Sequence, residues 1–386
     1  MCRNKFIPLS VPNLNGNELA YVMEAVKTEW VSTAGPFIED FEHQIAEYVK
    51  VPGAAACQSG TAGLHLSLMA LGVKKGDEVI VPTLTFIAAV NPIRYIGAEP
   101  IFMDCDDSLT MDAGKLKKFC ENECELRGEN LFNKNTGKRI SAVIIVHVFG
   151  NLADMEQIMS IADMYHLKVL EDATEALGSY YLEGAYSGNY AGTIGTMGVY
   201  SFNGNKIITT GGGGMIVSRN TDLTERCRFL STQAKKDSLH FVHEEVGFNY
   251  RMTNLQAALG LAQLEQLEDF IEVKQKNYER YICQGVALLP FKENIRSNAW
   301  FYSYPAKNRD GLIRFLNKHQ VQSRPVWQLI HTLKPYRDCQ VYHVEKAYRY
   351  YECIVNLPCS SNLPEADIDR VADLVKMFEK SDIGCL

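Results

Sequence analysis

The stretch AAACQSGTAGLHLSLMALG, residues 54–72, places a short strand directly before a helix. Residues 54–59 are small and apolar until they reach a polar end, which predicts a buried strand. Residues 60–72 predict a helix that ends at a glycine, the residue that most often closes a helix. Strand–helix units of this kind build parallel sheets, so the stretch indicates an α/β fold.

The same alternation continues on both sides of this unit. Helices are predicted before it, at 17–27 and 36–49. Short apolar strands are predicted after it, at 77–82, 99–104, 141–150, 167–173, 197–202 and 213–218. Together these elements predict a mostly parallel sheet that helices cover on both faces. Three further segments are predicted as a helix-like stretch (86–97), a helix end plus surface loop (121–139), and one long or two kinked helices (253–282).

The pattern changes after about residue 285, where short strands mix with two predicted helices at 308–319 and 364–379. This change predicts a smaller α+β domain. We expect a large domain over residues 1–265, which begins with an extended arm, and a small C-terminal domain over residues 266–386.

The composition argues against several classes of partner. The formal net charge is −7 and no long basic block occurs, so neither nucleic acid nor a membrane is expected as a partner. No apolar run approaches the roughly 20 residues that span a bilayer, and the N-terminal stretch lacks the apolar core of a signal peptide. Eleven scattered cysteines fit a reducing cytoplasm. Cys120 and Cys124 lie in an apparently helical segment, where we expect an inert pair of thiols. A metal or redox role is the alternative, but no metal site is predicted.

Polar residues that follow predicted strands are candidates for a ligand site, because ligands of parallel sheets bind beyond the carboxyl ends of the strands. These candidates are Ser59, Gly60, Thr61, Thr85, Phe86, Asp104, His147, Asp172, Glu175 and residues 201–206. The spacing around Lys206 is not that of a P-loop, and GTIGTMG (192–198) lacks the spacing of a dinucleotide fingerprint. Gly60 and Thr61 instead open a helix, whose free N–H groups favour an anion such as a phosphate. An ordinary Ser/Thr helix cap is the alternative.

One lysine, Lys206, lies between small polar residues and the glycine run 211–214. Small neighbours leave room for a lysine that condenses with an aldehyde and swings free. Asp172 can pair with a ring nitrogen. The alternative is that Asp172 caps a helix or pairs with a buried arginine. Phe86 can stack on a flat ring, with plain core packing as the alternative. Phosphate, ring, protonated nitrogen and aldehyde together describe pyridoxal 5′-phosphate (PLP).

Eight stretches of the chain form a recognisable series: LSVPNLNGNELAYV, SGTAGLHLSL, DEVIVPTLTFIAAVNPI, DCD, VHVFGNLADM, EDATEALGS, SFNGNKIITTGGGGMIVS and GFNYRMTNLQAALGLAQL. Taken in order, these motifs make the chain similar to sugar-nucleotide aminotransferases of the DegT/DnrJ/EryC1/StrS family. That resemblance implies PLP fold type I, the aspartate aminotransferase-like fold. The resemblance is strong over roughly residues 8–265 and fainter beyond them.

The resemblance implies roles for individual residues. Lys206 corresponds to the Schiff-base lysine, and Asp172 corresponds to the partner of the pyridinium nitrogen. The remaining cofactor contacts that it implies are ring stacking and phosphate binding, by Phe86, Gly60, Thr61 and Ser201.

Two further positions concern assembly and a departure from the family. Asn249 matches an asparagine that reaches the cofactor phosphate of the neighbouring subunit, which implies a homodimer with shared active sites. Glu175 stands at a cofactor-contact position where many members have His or Gln. A cofactor contact is expected for Glu175, with a structural carboxylate as the alternative.

The implied activity is a ping-pong transamination with glutamate as the amino donor. The resemblance is closest to enzymes that aminate C4 of nucleotide-linked 4-keto-6-deoxy-N-acetylhexosamines in bacterial bacillosamine and legionaminic acid pathways. UDP and GDP both stay open as the nucleotide. Trp30, Arg324 and His331 are expected substrate contacts; their alternatives are simple packing, a surface ion pair and a satisfied core histidine.

Two other classes of protein are the alternatives to an aminotransferase. One is a PLP-dependent sugar dehydratase, whose branch of the family carries His in place of the lysine, so that Lys206 argues against it. The other is a non-catalytic regulatory protein that kept the fold. The intact Lys206, Asp172 and glycine run argue against that alternative.

Overall fold

Short strands and helices alternate over residues 5–237 and 239–382, the part of the chain that the computed structural model describes. Twelve α-helices lie in this part: α1 (Glu18–Lys27), α2 (Pro36–Tyr48), α3 (Gly60–Ala70), α4 (Asn91–Ile96), α5 (Ala113–Glu123), α6 (Met155–Met164), α7 (Thr221–Ser231), α8 (Asn254–Leu264), α9 (Leu267–Cys283), α10 (Arg309–Lys318), α11 (Lys346–Cys353) and α12 (Glu365–Asp382). None of these helices combines the length and the apolar character that crossing a bilayer requires.

Seventeen strands accompany the helices in the same residues. They are β1 (Gly53–Cys57), β2 (Glu78–Pro82), β3 (Glu99–Met103), β4 (Cys124–Arg127), β5 (Asn130–Asn133), β6 (Arg139–Val146), β7 (Lys168–Asp172), β8 (Tyr180–Tyr181), β9 (Met197–Ser201), β10 (Gly214–Ser218), β11 (Lys235–Asp237), β12 (Val242–His243), β13 (Ile295–Arg296), β14 (Tyr302–Pro305), β15 (Arg324–Pro325), β16 (Val341–Tyr342) and β17 (Ile354–Leu357). Short 3₁₀ turns occur at Ile87–Ala89, Val148–Gly150 and Ile330–Thr332.

The largest sheet has ten strands, in the order β1-β10-β9-β7-β6-β2-β3-β16, with the β4–β5 hairpin attached to β6. The five consecutive pairs from β9 to β16 are parallel. β10 runs antiparallel to both of its neighbours. The predicted α/β class with a mostly parallel central sheet is therefore confirmed.

Both faces of this sheet are buried. Along β6, Ile144 and Val146 pack into one apolar cluster, while Val143 and Ile145 pack into a second cluster on the opposite face. Side chains alternate between the two faces of a strand, so a continuous apolar run needs cover on both sides. The first cluster continues into the C-terminal part of the chain, where it contains Val355.

The C-terminal part has a small sheet of its own, in the order β14-β17-β15, with antiparallel pairing. The two helices predicted there are present as α10 and α12. Two other strands of this part pair with the N-terminal part: β16 lies parallel to β3, and β13 lies antiparallel to β8. The predicted boundary between residues 265 and 266 stays a prediction.

The structure corrects the sequence analysis in three places. Residues 121–139 contain the β4–β5 hairpin rather than a loose loop, and Cys124 begins β4 rather than continuing a helix. Each strand of this hairpin is only four residues long and mixes polar with apolar residues, so it lacks the apolar run by which strands are detected, and Gly128 supplies the left-handed turn conformation (φ +63°). The helix α11 was not predicted. Residues 253–282 form two helices, α8 and α9, which is the second of the two arrangements predicted for this stretch.

Candidate active site

A cavity of about 500 Å³ lies beyond the carboxyl ends of β2, β7 and β9. Ligands of parallel sheets bind at this edge, so the position agrees with the rule used on the sequence. Eight residues with a predicted cofactor or substrate contact line the cavity: Gly60, Thr61, Phe86, Asp172, Glu175, Ser201, Lys206 and Arg324. The strand-end candidates Ser59, Thr85, Asn203 and Asn205 also line it. Phe86 is 53% exposed, so its ring is available to a ligand rather than packed in the core.

The amino-terminal end of α3 forms one wall of the cavity. The Ser59 hydroxyl accepts the Ala62 N–H at 3.0 Å, and the Ser59 carbonyl accepts the Gly63 N–H at 3.0 Å. The first N–H groups of a helix, here those of Gly60 and Thr61, have no partner inside the helix. Together with the positive end of the helix dipole, they suit a phosphate.

Two glycines allow the strands to approach this helix end. A Cβ atom on Gly60 would lie 2.9 Å from the Ser201 Cβ atom. A Cβ atom on Gly214, the last residue of the glycine run, would lie 2.7 Å from the Ser59 carbonyl carbon. The glycine run therefore brings β10 against the start of α3. This packing gives the run a second role, in addition to the room for Lys206 movement that was proposed from the sequence.

Asp172 is the last residue of β7 and is 3% exposed. Its Oδ1 accepts the Thr174 N–H at 3.1 Å, and burial raises the pKa of its carboxyl group. The carboxylate lines the cavity, and it forms no salt bridge with any of the described residues. A buried carboxylate that makes no salt bridge is a suitable acceptor for a protonated ring nitrogen.

Lys206 lies in the loop between β9 and β10, whose antiparallel pairing returns the chain to the same edge of the sheet. Its Nζ atom is 3.8 Å from Oε1 of Glu175 and 4.0 Å from the centre of the Trp300 ring system. Burial lowers the pKa of the amine, while the carboxylates of Glu175 and Asp172 oppose that shift. A lowered pKa increases the fraction of neutral, nucleophilic amine.

Glu175 is buried beside this amine. Its Oε2 accepts the Phe149 N–H at 2.8 Å, which fixes the carboxyl group in the cavity wall. Burial raises the pKa of Glu175 to about 7, and the charge of Lys206 opposes the rise. The group therefore changes its protonation state near neutral pH.

The features of the wall fit the chemical groups of PLP. The start of α3 suits the phosphate, Asp172 suits the pyridinium nitrogen, and the Lys206 amine suits the aldehyde. No group of three or more His, Cys, Asp or Glu side chains within the described residues is arranged to hold a metal ion.

Three predicted site residues do not line the cavity of their own chain. Asn249 is exposed. Trp30 is 53% exposed and follows the end of α1. The ring nitrogens of His331 contact the Thr83 hydroxyl at 2.6 Å and the Tyr348 hydroxyl at 2.8 Å, which agrees with the satisfied-histidine alternative. The ligand contacts expected for Asn249, Trp30 and His331 remain predictions.

Two other strand-end candidates have structural partners outside the cavity. Asp104 accepts the N–H groups of residues 345–347 and pairs with Lys115 at 2.7 Å, so it caps the start of α11. His147 contacts Glu171 at 2.8 Å through Nε2 and accepts the Ala153 N–H through Nδ1, so its Nε2 carries the proton. A position after a strand therefore does not by itself assign a residue to the site.

Several lining residues were missed from the sequence. They are Leu9, Thr174, Trp300, Phe301, Trp327 and Asn356. Leu9 comes from the N-terminal arm, and four of the others come from the C-terminal part of the chain. Thr174 follows β7 beside Asp172, whereas no spacing relates the other five to Lys206, because tertiary packing alone brings them to the cavity.

The cysteines are free thiols in the part of the chain that the structure describes. Cys120 and Cys124 are both buried, and the contact with the Cys124 thiol, together with burial, raises the pKa of Cys120. A thiol with a raised pKa is a poor nucleophile and a poor metal ligand. The burial of both thiols and the raised pKa of Cys120 therefore agree with the expected inert pair.

Comparison with known proteins now decides the family. A model described as the DegT/DnrJ/EryC1/StrS aminotransferase family matches residues 12–376. The chain belongs to this family. The match covers both the N-terminal and the C-terminal parts, so the resemblance extends beyond the region in which the sequence motifs are strong.

Individual relatives of this DegT-family member span nearly its whole length. GDP-perosamine synthase of Escherichia coli O157:H7 is 39% identical over 380 residues, covering 97% of this chain and 99% of the relative. EpsN of Bacillus subtilis (strain 168), whose name assigns it to the pyridoxal phosphate-dependent aminotransferases, is 36% identical over 394 residues, with 98% of each chain covered. The crystal structure of the aminotransferase TlmJ from Streptoalloteichus hindustanus has a TM-score of 0.87 at 28% identity, with 98% of this chain and 100% of that chain covered.

The family assignment fixes the class of reaction. The protein is a PLP-dependent sugar aminotransferase. The cofactor, the enzyme class and the aspartate aminotransferase-like fold predicted from the sequence are thereby confirmed.

Proposed function

We propose that this DegT-family aminotransferase moves an amino group from L-glutamate to C4 of a nucleotide-linked 4-keto-6-deoxy-N-acetylhexosamine. The reaction would serve bacterial amino-sugar biosynthesis in the cytoplasm, in the bacillosamine or legionaminic acid branch that the sequence resembles. The observation that carries the proposal is the buried Lys206 amine, 3.8 Å from Glu175, in a cavity that Asp172 and the start of α3 also line.

The cofactor is held at its two ends. Bound PLP supplies an aldehyde carbon that carries the amino group and a ring that acts as an electron sink. The N–H groups at the start of α3, with Ser201, hold the phosphate, and Asp172 keeps the proton on the ring nitrogen. Phe86 lies in the same wall with an exposed ring face, which supports its role as the stacking residue.

Lys206 moves the proton. Because burial lowers the pKa of its amine, a neutral fraction is available to take the α-proton of the donor amino acid, and the ammonium formed would return a proton to the substrate bound through the cofactor. Proton transfer runs in the opposite direction when the keto-sugar arrives. The dehydratase alternative has no support at this position, because the chain has the lysine that this branch of the family lacks.

A nucleotide-linked deoxy-sugar has charged and apolar parts, so its binding site needs both polar and apolar side chains. Arg324 is an exposed cation in the cavity lining, and it can pair with the diphosphate of a nucleotide sugar or with a donor carboxylate. Trp327 lies 6.3 Å from Phe86 between ring centres, so aromatic faces border the same space. Aromatic faces suit the apolar face of a deoxy-sugar ring.

We further propose a homodimer with shared active sites. Asn249 is exposed and does not line the cavity of its own chain, as a residue that serves a partner's site requires. On α1 and just beyond it, Leu19, Met23, Val26 and Trp30 recur at helical spacing and are 41–74% exposed. An exposed apolar face of this kind is typical of a subunit contact.

A substrate panel tests the proposed reaction. Purified protein with PLP and glutamate is assayed with UDP- and GDP-linked 4-keto-6-deoxy sugars, with and without the N-acetyl group, and Lys206→Ala serves as the inactive control. The highest kcat/KM is expected for an N-acetylated acceptor. Preference for an acceptor without the N-acetyl group would overturn the proposed acceptor, and preference for GDP over UDP would agree with the GDP-linked sugar in the name of the 39% identical E. coli relative. Turnover by Lys206→Ala would overturn the role of the lysine.

A further inference from the structure

The Lys206 amine lies between an acidic and an aromatic side chain. Its Nζ atom is 3.8 Å from Oε1 of Glu175 and 4.0 Å from the centre of the Trp300 ring system. An ammonium group within about 6 Å of an aromatic face is attracted by the ring quadrupole, most strongly for Trp and in a dry site. These two contacts involve only protein atoms, so they are available whenever the amine is not bonded to the cofactor.

Trp300 is itself held in place. It is 3% exposed, and its Nε1–H donates to the Asn205 carbonyl at 2.7 Å. The same indole therefore holds the backbone immediately before Lys206 and presents its face to the Lys206 amine. Its backbone N–H donates to Oδ1 of Asn298 at 3.0 Å.

Asn298 links the aromatic side chain to the acidic one. It is fully buried, and its Nδ2 donates to the Glu175 carbonyl at 3.0 Å and to the Leu177 carbonyl at 2.9 Å. Its backbone N–H donates to the Ser179 hydroxyl at 2.9 Å. Glu175 and Trp300 thus belong to one hydrogen-bonded unit, although they are far apart in the sequence.

Transamination requires the Lys206 amine to leave the cofactor and to return to it. A flexible ammonium with no defined position would lose the orientation that proton transfer needs. We propose that Glu175 and the face of Trp300 form an amine-holding site that keeps the released Lys206 amine beside the cofactor, with Trp300 as a positioning residue. This inference rests on the role of Lys206 in the proposed function.

The charged groups around the Lys206 amine set the balance between its ammonium and neutral forms. Glu175 and Asp172 both favour the ammonium form, burial disfavours it, and Arg324 lies in the same cavity lining. The Glu175 carboxyl group is anchored by the Phe149 N–H and changes protonation near neutral pH. A carboxylate and an aromatic face that both favour the ammonium should each raise the pH at which Lys206 becomes a neutral amine.

Reductive methylation of the full-length, cofactor-free protein with formaldehyde and cyanoborohydride tests the proposal, because only the neutral amine reacts. Mass spectrometry of the Lys206 peptide between about pH 6 and about pH 10 gives the midpoint of reactivity. The exposed Lys307 provides an internal reference. This measurement needs no sugar substrate, so it is independent of the outcome of the substrate panel.

Three variants separate the contributions. Glu175→Gln should move the midpoint down by about one pH unit, which is about tenfold more neutral amine at a given pH. Trp300→Leu keeps apolar bulk but removes the ring, so we expect the midpoint to move down, with about threefold to tenfold more neutral amine at a given pH. Trp300→Phe keeps a ring face and should keep the midpoint of the unaltered protein, although it loses the hydrogen bond to Asn205.

Circular dichroism and the recovery of PLP binding show that each variant is folded. An unchanged midpoint in Glu175→Gln or in Trp300→Leu would overturn the two-sided holding site, as would an upward shift. A Trp300→Phe variant that behaves like Trp300→Leu would show that the indole acts by holding the Asn205 backbone alone, which would also overturn the proposal.

Discussion

Asp172 and Glu175 lie three positions apart and line the same cavity, yet they have different partners. Asp172 accepts a neighbouring N–H and has no salt bridge within the described residues, whereas Glu175 accepts the distant Phe149 N–H and faces Lys206. Burial raises the pKa of both carboxyl groups. A cationic ring nitrogen beside Asp172 would favour its ionised form and reverse that effect.

Replacement of Asp172 by Asn should lower turnover roughly a hundredfold or more, because a neutral amide cannot hold the charge of the pyridinium nitrogen. PLP should still bind through Lys206 and the start of α3. Steady-state kinetics with the accepted keto-sugar and a cofactor titration measure the two effects. Asp40→Asn, at an exposed position of α2, is the matched control. Near-normal turnover of Asp172→Asn would leave Asp172 with a structural role only.

At the residue scale, the sequence predicted those site residues that belong to continuous motifs. Lys206, Asp172 and Gly60 each stand at or after the end of a strand, in a recognisable stretch. Trp300 could not be predicted, because it reaches the cavity by packing from a different part of the chain. Position after a strand also selected His147, whose partner Glu171 is not part of the cavity lining.

At the scale of elements, the contact between β10 and α3 shapes the phosphate end of the site. Gly214 pairs with Ser201 across β10 and β9, and it lies against the carbonyl of Ser59. Any side chain there must displace the helix start or the strand. The phosphate end is therefore sensitive to a single added methyl group.

Gly214→Ala should weaken PLP binding and lower the free energy of unfolding by about 1–3 kcal/mol, because its methyl group would overlap the backbone of Ser59. Fluorescence titration with PLP and urea unfolding measure the two quantities. Gly204→Ala is a matched control in the loop before β10, since a Cβ atom there meets nothing within 4 Å. Equal PLP affinity in both variants would mean that the start of α3 does not hold the phosphate.

Strands that are buried on both faces were predictable, because a short, continuous apolar run between turn residues is typical of a covered parallel strand. β2, β7 and β9 therefore appear within one or two residues of their predicted positions. The β4–β5 hairpin, whose strands are short and mix polar with apolar residues, and the helix α11 were missed. α11 begins at an Asp104 cap that is distant in sequence, so the usual local signal for a helix start is absent.

At the scale of the whole molecule, the proposed shared sites require two chains for each reaction. The apolar residues of α1 and the exposed Asn249 are the parts of the structure that support this proposal. A partner that completes the site would also bury surface that is exposed in one chain.

Mixing Lys206→Ala and Asn249→Ala chains tests the proposal by complementation. Mixed dimers would contain one site without either mutation, so an equimolar mixture should recover up to about a quarter of the normal activity. Each variant alone must be well below that level, and subunit exchange is verified with differently tagged chains. If exchange occurs and no activity returns, Asn249 serves its own chain and the shared-site proposal is wrong.

The pairing of β16 with β3 has a consequence for how the protein is made. One edge of the ten-stranded sheet is covered by residues 341–342, which leave the ribosome long after residues 99–103. Until then the backbone groups on that side of β3 lack their partner, and an unpaired edge strand is a template for aggregation. We therefore expect nascent and truncated chains to aggregate more readily through this edge than the completed chain, whose C-terminal part pairs with Phe102 and Met103.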